Sequence, residues 1–245
     1  MITSVKNEKV KSWKKLQKRK ERTEQGLFLI EGYHLVEEAW KSKWEIQEII
    51  VQENSDVPHW AKGFSLEYVS DNVFQYISQT QTPQGIAATV KMKQQTTING
   101  NQVLLIDAIQ DPGNLGTIIR TADAAGFGAI ILGNGTVDMY NDKVIRSTQG
   151  SLFHLPIFQA NLEEKIPALQ QDGFSIWASA LANSKDYHTM DVPEKVALVV
   201  GNEGAGIQEQ LLKLADSIVK IPIYGKAESL NVSIAAGILM YHLKG

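Results

Sequence analysis

The fold is decided by residues 198–233, which contain three short sequences in succession: LVVGNEGAGI at 198–207, SIVKIPI at 217–223 and ESLNVS at 228–233. The apolar runs that open the first two predict buried strands, with an amphipathic helix between them. The glycines after the first strand let the backbone approach a ligand closely, because no Cβ intervenes. Two such loops beyond neighbouring strand ends predict a crevice for a small cofactor.

Two familiar nucleotide sites do not fit this stretch. The glycines occur as G-x-x-G-x-G rather than G-x-G-x-x-G, and the next strand ends in Lys220 and Ile221 with no acidic residue for a ribose. No Lys-Ser or Lys-Thr pair follows the glycines, as a P-loop requires. An NAD-dependent oxidoreductase and an ATPase are therefore disfavoured, while a simple glycine-rich turn without a ligand stays open.

The rest of the chain predicts an α/β protein of two domains. Apolar strands alternate with helical patterns beyond residue 102, which indicates a parallel sheet covered on both faces. A polar, turn-rich stretch at 93–101 separates this domain, 102–245, from a small α/β domain, 1–95. The predicted strands are 27–30, 46–51, 84–91, 103–106, 129–132, 154–158, 174–181, 196–200 and 218–221, and the predicted helices are 4–22, 33–43, 72–78, 115–125, 141–148, 162–171, 208–214 and 230–243.

Composition narrows the chemistry. The 245 residues include no cysteine, which excludes disulfides, thiolate catalysis and cysteine-based metal centres, and no metal site is predicted. No apolar run approaches the roughly 20 residues that span a bilayer, and the charged first 22 residues do not resemble a signal peptide. We expect a cytoplasmic protein that does not bind membranes.

Charge is concentrated at the amino terminus. Residues 1–22 contain nine Lys or Arg and two Glu, although the whole chain has a formal net charge of −3. A basic segment on an acidic body predicts contact with a polyanion, with a solvated helix face as the alternative. Trp13 lies among the lysines, and we expect it to pack inward rather than stack on a base.

A second polar segment, DAIQDPGNLGTIIR at 107–120, leaves a predicted strand through a Pro-Gly turn. Asn114 is the predicted N-cap of the following helix. Arg120 lies less than two turns further along, where it could project beside the strand ends. The alternatives are that Asn114 only caps the helix and that Arg120 forms an ion pair with Asp123 or Asp111.

Taken together, these sequences resemble the SpoU (TrmH-like) family of RNA ribose 2′-O-methyltransferases, of the SPOUT class. The resemblance rests on NLGTIIR at 114–120, GNEGAG at 201–206 and IP at 221–222 followed by SLNVS at 229–233, and it covers residues 103–241. FLIEG at 28–32 and TPQGI at 82–86 are similar to a small ribosomal-protein-like (L30e-like) substrate domain. The resemblance implies a carboxyl-terminal trefoil knot, S-adenosylmethionine as cofactor and a homodimer.

The resemblance also implies roles for particular residues. Cofactor contacts are expected from Ala180, Gly201, Asn202, Gly206, Ile221 and Leu230, catalytic roles from Asn114, Arg120, Glu203, Ser229 and Asn231, and RNA contacts from Lys14, Lys15, Lys18 and Arg19. The family's favoured base is the arginine, but a guanidinium keeps its proton up to pH ~12 or beyond. We therefore expect Arg120 to hold an RNA phosphate and stabilise the developing alkoxide, with Asn114 and Glu203 orienting the ribose and Arg120.

The sequence thus predicts an RNA ribose 2′-O-methyltransferase, with ribosomal RNA favoured as substrate. Transfer RNA remains an alternative substrate, and a non-catalytic RNA-binding protein that keeps the fold remains an alternative function. The methylated nucleotide and the general base stay open. The Asn231–Ser233 triplet also matches a glycosylation sequon, which we set aside for an intracellular protein.

Overall fold

The computed structural model describes residues 1–245. The chain forms nine α-helices: α1 (Glu8–Lys15), α2 (Arg19–Gln25), α3 (Tyr33–Lys41), α4 (Asp71–Ile77), α5 (Pro112–Ala124), α6 (Asp142–Thr148), α7 (Leu162–Gln171), α8 (Glu209–Leu214) and α9 (Val232–His242). It also forms eleven strands: β1 (Leu27–Glu31), β2 (Ile46–Gln52), β3 (Leu66–Val69), β4 (Ile86–Lys91), β5 (Gln102–Ile106), β6 (Ala129–Leu132), β7 (Ile157–Gln159), β8 (Ser175–Ser179), β9 (Lys185–Asp186), β10 (Val196–Val200) and β11 (Ser217–Lys220). None of these helices is both long and apolar enough to cross a membrane.

Contacts divide the chain into two units. The first unit consists of Met1–Lys93 together with Tyr140–Phe153, and the second consists of Gln94–Met139 together with His154–Gly245. The first contains a four-stranded sheet in the order β1-β4-β2-β3. Strand β4 pairs antiparallel with β1 and β2, and β2 pairs parallel with β3. This is the separate small α/β domain that the sequence predicts.

The amino-terminal helix of the first unit differs from its prediction. Residues 4–22 were expected to form one helix, whereas the structure has α1 and α2 with a break at residues 16–18. Lys18 adopts an extended conformation, which ends helical continuity. The buried guanidinium of Arg22 donates to the carbonyl of Leu16 at 2.8 Å, so a carbonyl freed at the break is satisfied.

Trp13 packs inward, as predicted. Only 2% of its surface is exposed, and it lies in a core with Ile50, Val73 and Phe74. Its indole N–H donates to Glu48 at 2.7 Å. The aromatic residue of the basic segment therefore anchors α1 to the sheet.

Residues 140–153 belong to the first unit even though they lie between β6 and β7 in sequence. The ring of Tyr140 lies 4.5 Å from that of Phe28, and the ring of Phe153 lies 5.2 Å from that of Trp44. The Trp44 indole also donates to the carbonyl of Phe153 at 3.1 Å. Helix α6 matches the predicted helix at 141–148. Its assignment to the first unit was not predicted, because these tertiary contacts produce no periodic pattern in the sequence.

The second unit contains the predicted parallel sheet. Its seven strands lie in the order β7-β6-β5-β10-β8-β11-β9, and every neighbouring pair is parallel. All residues of β6 and β10 are buried, which explains their uninterrupted apolar sequences. Alternate strand residues form one core with α7 and α8, and α9 packs against α5 and β10.

The start of α5 corrects one prediction. The N-cap is Asp111, whose carboxylate accepts from the backbone N–H of Asn114 at 2.8 Å, and Pro112 occupies the first turn. Proline is favoured there because its missing N–H needs no partner. Asn114 is therefore inside the helix, and its side chain does not cap it.

Candidate active site

A cavity of about 550 Å³ opens at the carboxyl ends of β8, β10 and β11. Ligands of open parallel sheets bind at this edge, where loops from several strands meet. The walls come from residues 179–182, 200–207 and 229–232, together with Leu212, Lys220, Ile221, Ile223 and Ala235. Most of the cavity is thus formed by the stretch 198–233, and the rest by the end of β8, the residues that follow it and Ala235.

The loop at 201–206 is held closed by its own backbone. Asn202 and Gly206 exchange N–H···O hydrogen bonds of 3.0 Å in both directions. A Cβ on Gly201 would lie 2.4 Å from the backbone of Gly206 and Ile207, so only glycine fits. Close packing of backbone against backbone within the loop therefore requires glycine at 201, while the approach of these glycines to a ligand stays a prediction.

The side chain of Asn202 completes this loop. Its carbonyl oxygen accepts from the N–H groups of Gly204 and Ala205, both at 2.9 Å, and its amide donates to the carbonyl of Ala108 at 2.8 Å. Ala108 itself has a left-handed conformation, with φ 55°. Asn202 lines the cavity, but its polar atoms hold protein backbone in place.

Four polar side chains beside the cavity form a continuous hydrogen-bonded chain. Ser233 Oγ donates to Asn231 Oδ1 at 2.6 Å, and Asn231 Nδ2 donates to Asn114 Oδ1 at 3.1 Å. Asn114 Nδ2 then donates to Glu203 Oε1 at 3.0 Å. Three segments far apart in sequence thereby meet, and three of the five predicted catalytic residues lie together.

Glu203 is the charged end of this chain. Its carboxylate also accepts from the backbone N–H groups of Asp111 at 3.1 Å and Gln110 at 3.3 Å. Partial burial opposes ionisation, but the hydrogen bonds from Asn114 and from the backbone N–H groups of Glu203, Asp111 and Gln110 outweigh it and lower the pKa of Glu203. The carboxylate is therefore ionised at neutral pH.

The other two predicted catalytic residues lie differently. Ser229 is exposed and lines the cavity. Arg120 is exposed on α5 but does not line the cavity, and its six-residue separation from Asn114 corresponds to roughly 600° of helix rotation and about 9 Å of rise. The alternative ion-pair partners are engaged elsewhere: Asp123 with His154 Nδ1 at 2.7 Å, and Asp111 with the start of α5.

The predicted cofactor residues fall into one region. Ala180, Gly201, Asn202, Gly206, Ile221 and Leu230 all line the cavity. The sequence analysis did not select Ser233, which is buried at the start of α9. The sequence did contain a signal for Ser233. In an Asn-x-Ser triplet at a helix start, the serine lies two residues after the N-cap asparagine and can donate a hydrogen bond to its side chain.

The predicted RNA contacts lie on α1 and the start of α2. Lys15, Lys18 and Arg19 are exposed. Lys14 is half-buried: its ammonium donates to the carbonyl of Tyr76 at 2.6 Å and lies 5.0 Å from the centre of that ring. Three of the four predicted RNA-contact residues are therefore exposed.

The parallel sheet and the glycine-lined cavity at its carboxyl edge define an α/β protein with a small-molecule site beside polar residues suited to group transfer. Residues 101–241 match the SpoU rRNA Methylase family, and residues 7–88 match the MRM3-like substrate binding domain. The chain belongs to the SpoU rRNA methylase family.

Individual relatives are similar to this chain over nearly its full length. The chain is 49% identical to the 23S rRNA (guanosine(2553)-2′-O)-methyltransferase RlmP of Bacillus subtilis, over 100% of this chain and 99% of the relative. The AdoMet-bound rRNA methyltransferase from Sinorhizobium meliloti superposes with a TM-score of 0.90 and 34% identity, covering 99% of this chain and 96% of that one. AviRb from Streptomyces viridochromogenes, in complex with AdoMet, gives a TM-score of 0.86 at 26% identity, over 98% and 97% of the two chains.

Proposed function

We propose that this chain is an S-adenosylmethionine-dependent methyltransferase that acts on a ribose 2′-oxygen of 23S rRNA. The observation that carries this proposal is the cavity at the sheet edge with the hydrogen-bonded chain of Glu203, Asn114 and Asn231 beside it. The Bacillus subtilis relative is named for guanosine 2553 of 23S rRNA. We propose the same nucleotide here, because the similarity spans both chains.

The cavity suits S-adenosylmethionine. Its volume of about 550 Å³ lies within the ~300–1,000 Å³ of typical small-molecule sites. Apolar side chains of Leu181, Ile221 and Ile223 and the backbone of Gly201 and Leu230 would hold the adenosine, and Ala180 would complete the slot. When bound, this cofactor supplies an electrophilic methyl group on a sulfonium.

The chain's own residues position the acceptor. Asn231 and Ser229 open α9 and face the cavity, so they are suited to contact the ribose. Arg120 retains its proton at any physiological pH, so its role is to hold the neighbouring RNA phosphate and to stabilise negative charge on the attacking oxygen. Arg120 lies outside the cavity lining, about 9 Å further along α5 than Asn114, so the proposal gives it the RNA phosphate rather than the cofactor.

The first domain, residues 1–95, is proposed to recruit RNA, and residues 102–245 are proposed to catalyse. Lys14, Lys15, Lys18 and Arg19 would contribute phosphate contacts that position the RNA without reading its sequence. The match of residues 7–88 to a substrate-binding family supports this division. Action on ribosomal RNA also favours a cytoplasmic location.

We further propose a homodimer that pairs through α9. Ile234 and Tyr241 are each 55% exposed and lie seven residues apart, so they share one apolar face of this helix. Mass measurement by light scattering should give twice the chain mass for wild type and the chain mass for Ile234→Glu combined with Tyr241→Glu.

The path from β10 past β8 to β11, with the return of α9 onto α5, is the topology that we propose to be a trefoil knot.

Methyl transfer to 23S rRNA tests the activity. The purified protein, tritiated S-adenosylmethionine and 23S rRNA from cells lacking this enzyme should give label at guanosine 2553, located by primer extension. Arg120→Ala should abolish transfer while calorimetry still detects cofactor binding. Label on transfer RNA alone would replace the proposed substrate, and absence of label on any RNA would refute the activity.

A further inference from the structure

The orientations of the side-chain amides of Asn114 and Asn231 follow from their hydrogen-bond partners. A carboxylate only accepts hydrogen bonds, so Asn114 must present its NH₂ group to Glu203. A backbone N–H only donates, so Asn231 must present its carbonyl oxygen to Ser233, whose N–H lies 2.9 Å away. The Asn231–Asn114 contact of 3.1 Å then joins an NH₂ group to a carbonyl oxygen.

This order leaves each residue with a defined remaining capacity. The carbonyl oxygens of Asn114 and Asn231 already accept from neighbouring donors within the chain. Each NH₂ group donates one hydrogen along the chain and retains a second. Donors all point toward the charge on Glu203, so the hydrogen bonds polarise one another in the same direction.

Glu203 has little capacity to accept a substrate proton. Oε1 receives the N–H of Asp111 and the amide of Asn114, and Oε2 receives the N–H of Gln110. A carboxylate that accepts three such bonds is stabilised in its charged form. It is suited to orienting neighbours rather than to removing a proton from a hydroxyl.

We propose that Glu203 and Ser233 are positioning residues that turn Asn114 and Asn231 so that they offer N–H donors to the ribose oxygen. This inference rests on the proposed methyl transfer and refines it. Donors at that oxygen stabilise negative charge as the hydroxyl ionises. The hydroxyl proton leaves to solvent water, and none of these four side chains is its acceptor.

The substitution Asn114→Asp separates donor from acceptor roles. At neutral pH the introduced carboxylate would oppose Glu203, so kcat should fall at least about 100-fold, in line with losing a transition-state donor. As the pH is lowered, the introduced carboxyl gains its single O–H, which can donate to Glu203 and removes the charge repulsion. The ratio of variant to wild-type kcat should therefore rise but stay below one, because no second donor remains for the ribose oxygen. The titratable groups facing this position are Glu203 and, from the start of α5, Asp111.

Asn114→Ala is the matched control, because it removes the donor and should show no recovery at low pH. Neutral-pH activity of Asn114→Asp equal to wild type would overturn the proposal, since an acceptor role would then suffice. A loss that does not depend on pH would also overturn it. Wild-type methyl transfer in the same assay is required first, and its absence would refute the proposed function instead.

A second experiment tests the hydrogen-bonded chain without depending on methyl transfer. Carbon-13 NMR of labelled glutamate should show the pKa of Glu203 rising in Asn114→Ala, because a donor to the carboxylate is lost. An unchanged titration would overturn the link between these residues. This measurement separates failure of the hydrogen-bonded chain from failure of the activity.

Ser233 is tested by a pair of variants. Ser233→Ala removes one donor to Asn231, and kcat should fall about two- to tenfold with the KM for S-adenosylmethionine unchanged. Ser233→Thr keeps the hydroxyl and should restore kcat. Equal loss in both variants, or a change in KM alone, would overturn the positioning role.

Discussion

The closed loop at 201–206 makes a quantitative prediction for Gly201→Ala. An added Cβ would lie 2.4 Å from the carbonyl carbon of Gly206 and from the nitrogen of Ile207, about 1 Å closer than ordinary contact. These are backbone atoms, so a side-chain rotation cannot relieve the clash. The loop must open, which breaks the paired hydrogen bonds between Asn202 and Gly206.

The cost follows from those two bonds. Each backbone hydrogen bond contributes about 0.5–1.5 kcal/mol, so their loss costs about 1–3 kcal/mol. With ~1.4 kcal/mol for each tenfold change, Gly201→Ala should bind S-adenosylmethionine about 5- to 150-fold more weakly. Isothermal titration with this compound and with S-adenosylhomocysteine measures the change, at a temperature where urea unfolding shows the variant folded.

Gly204→Ala is the matched control in the same loop. Its added Cβ would lie 3.7 Å from Asn202 Oδ1, which is ordinary contact. We expect a smaller loss of affinity than in Gly201→Ala, because no backbone must move, although the added methyl borders the cavity. Wild-type affinity in Gly201→Ala, or an equal loss in both variants, would refute the argument that close backbone packing shapes the cavity.

Three further predictions concern other parts of the molecule. Replacing Lys15 and Lys18 by Ala should weaken 23S rRNA binding and lower the slope of log affinity against log salt by about 1.4–1.8, whereas an unchanged slope would contradict phosphate contacts. Trp13→Phe should lower unfolding free energy by about 1.5–3 kcal/mol through loss of the bond to Glu48, with RNA affinity unchanged; weaker RNA binding would indicate stacking instead. The lowered pKa of Glu203 stabilises the fold above the unfolded pKa near 4.5, and this contribution is lost as pH falls through the folded pKa, so the difference in urea stability between wild type and Glu203→Gln should narrow in acid.

Local sequence patterns predicted most of the sheet. Runs such as Val103–Ile106 and Val196–Val200 are uniformly apolar because both faces of the parallel sheet are covered. Strands β3 and β9 were missed: β9 is two residues long, and β3 has no fully apolar run. Short edge strands owe their conformation to a neighbour, and that information is not local.

Most of the site residues that the sequence selected lie in or beside the cavity, but the contacts between them were only partly predictable. Asp111 followed by proline was a readable N-cap signal, and overlooking it gave Asn114 a capping role. The contact of Asn114 with Asn231 joins residues 117 positions apart, which no spacing rule supplies. The family resemblance identified these residues as candidates. The direction of the hydrogen bonds between them follows only from the three-dimensional structure.

The division of the chain into two units leads to one last prediction, which concerns a fragment that begins at residue 94. The domain boundary near residue 95 suggests that residues 94–245 would fold alone, but Tyr140–Phe153 belongs to the first unit. Leu152 and Phe153 are 1% and 5% exposed in the whole chain, and removal of residues 1–93 would take away Phe28 and Trp44, which pack on this segment.

Fully exposing a large apolar side chain costs about 1.5–3 kcal/mol, and the new patch would favour association. The fragment should bind the dye ANS and aggregate in light scattering. A second fragment in which a short Gly-Ser linker replaces residues 140–153 should remain dispersed and still bind S-adenosylmethionine, because none of the replaced residues lines the cavity. A dispersed, dye-negative first fragment would show that residues 140–153 do not depend on the amino-terminal unit for burial.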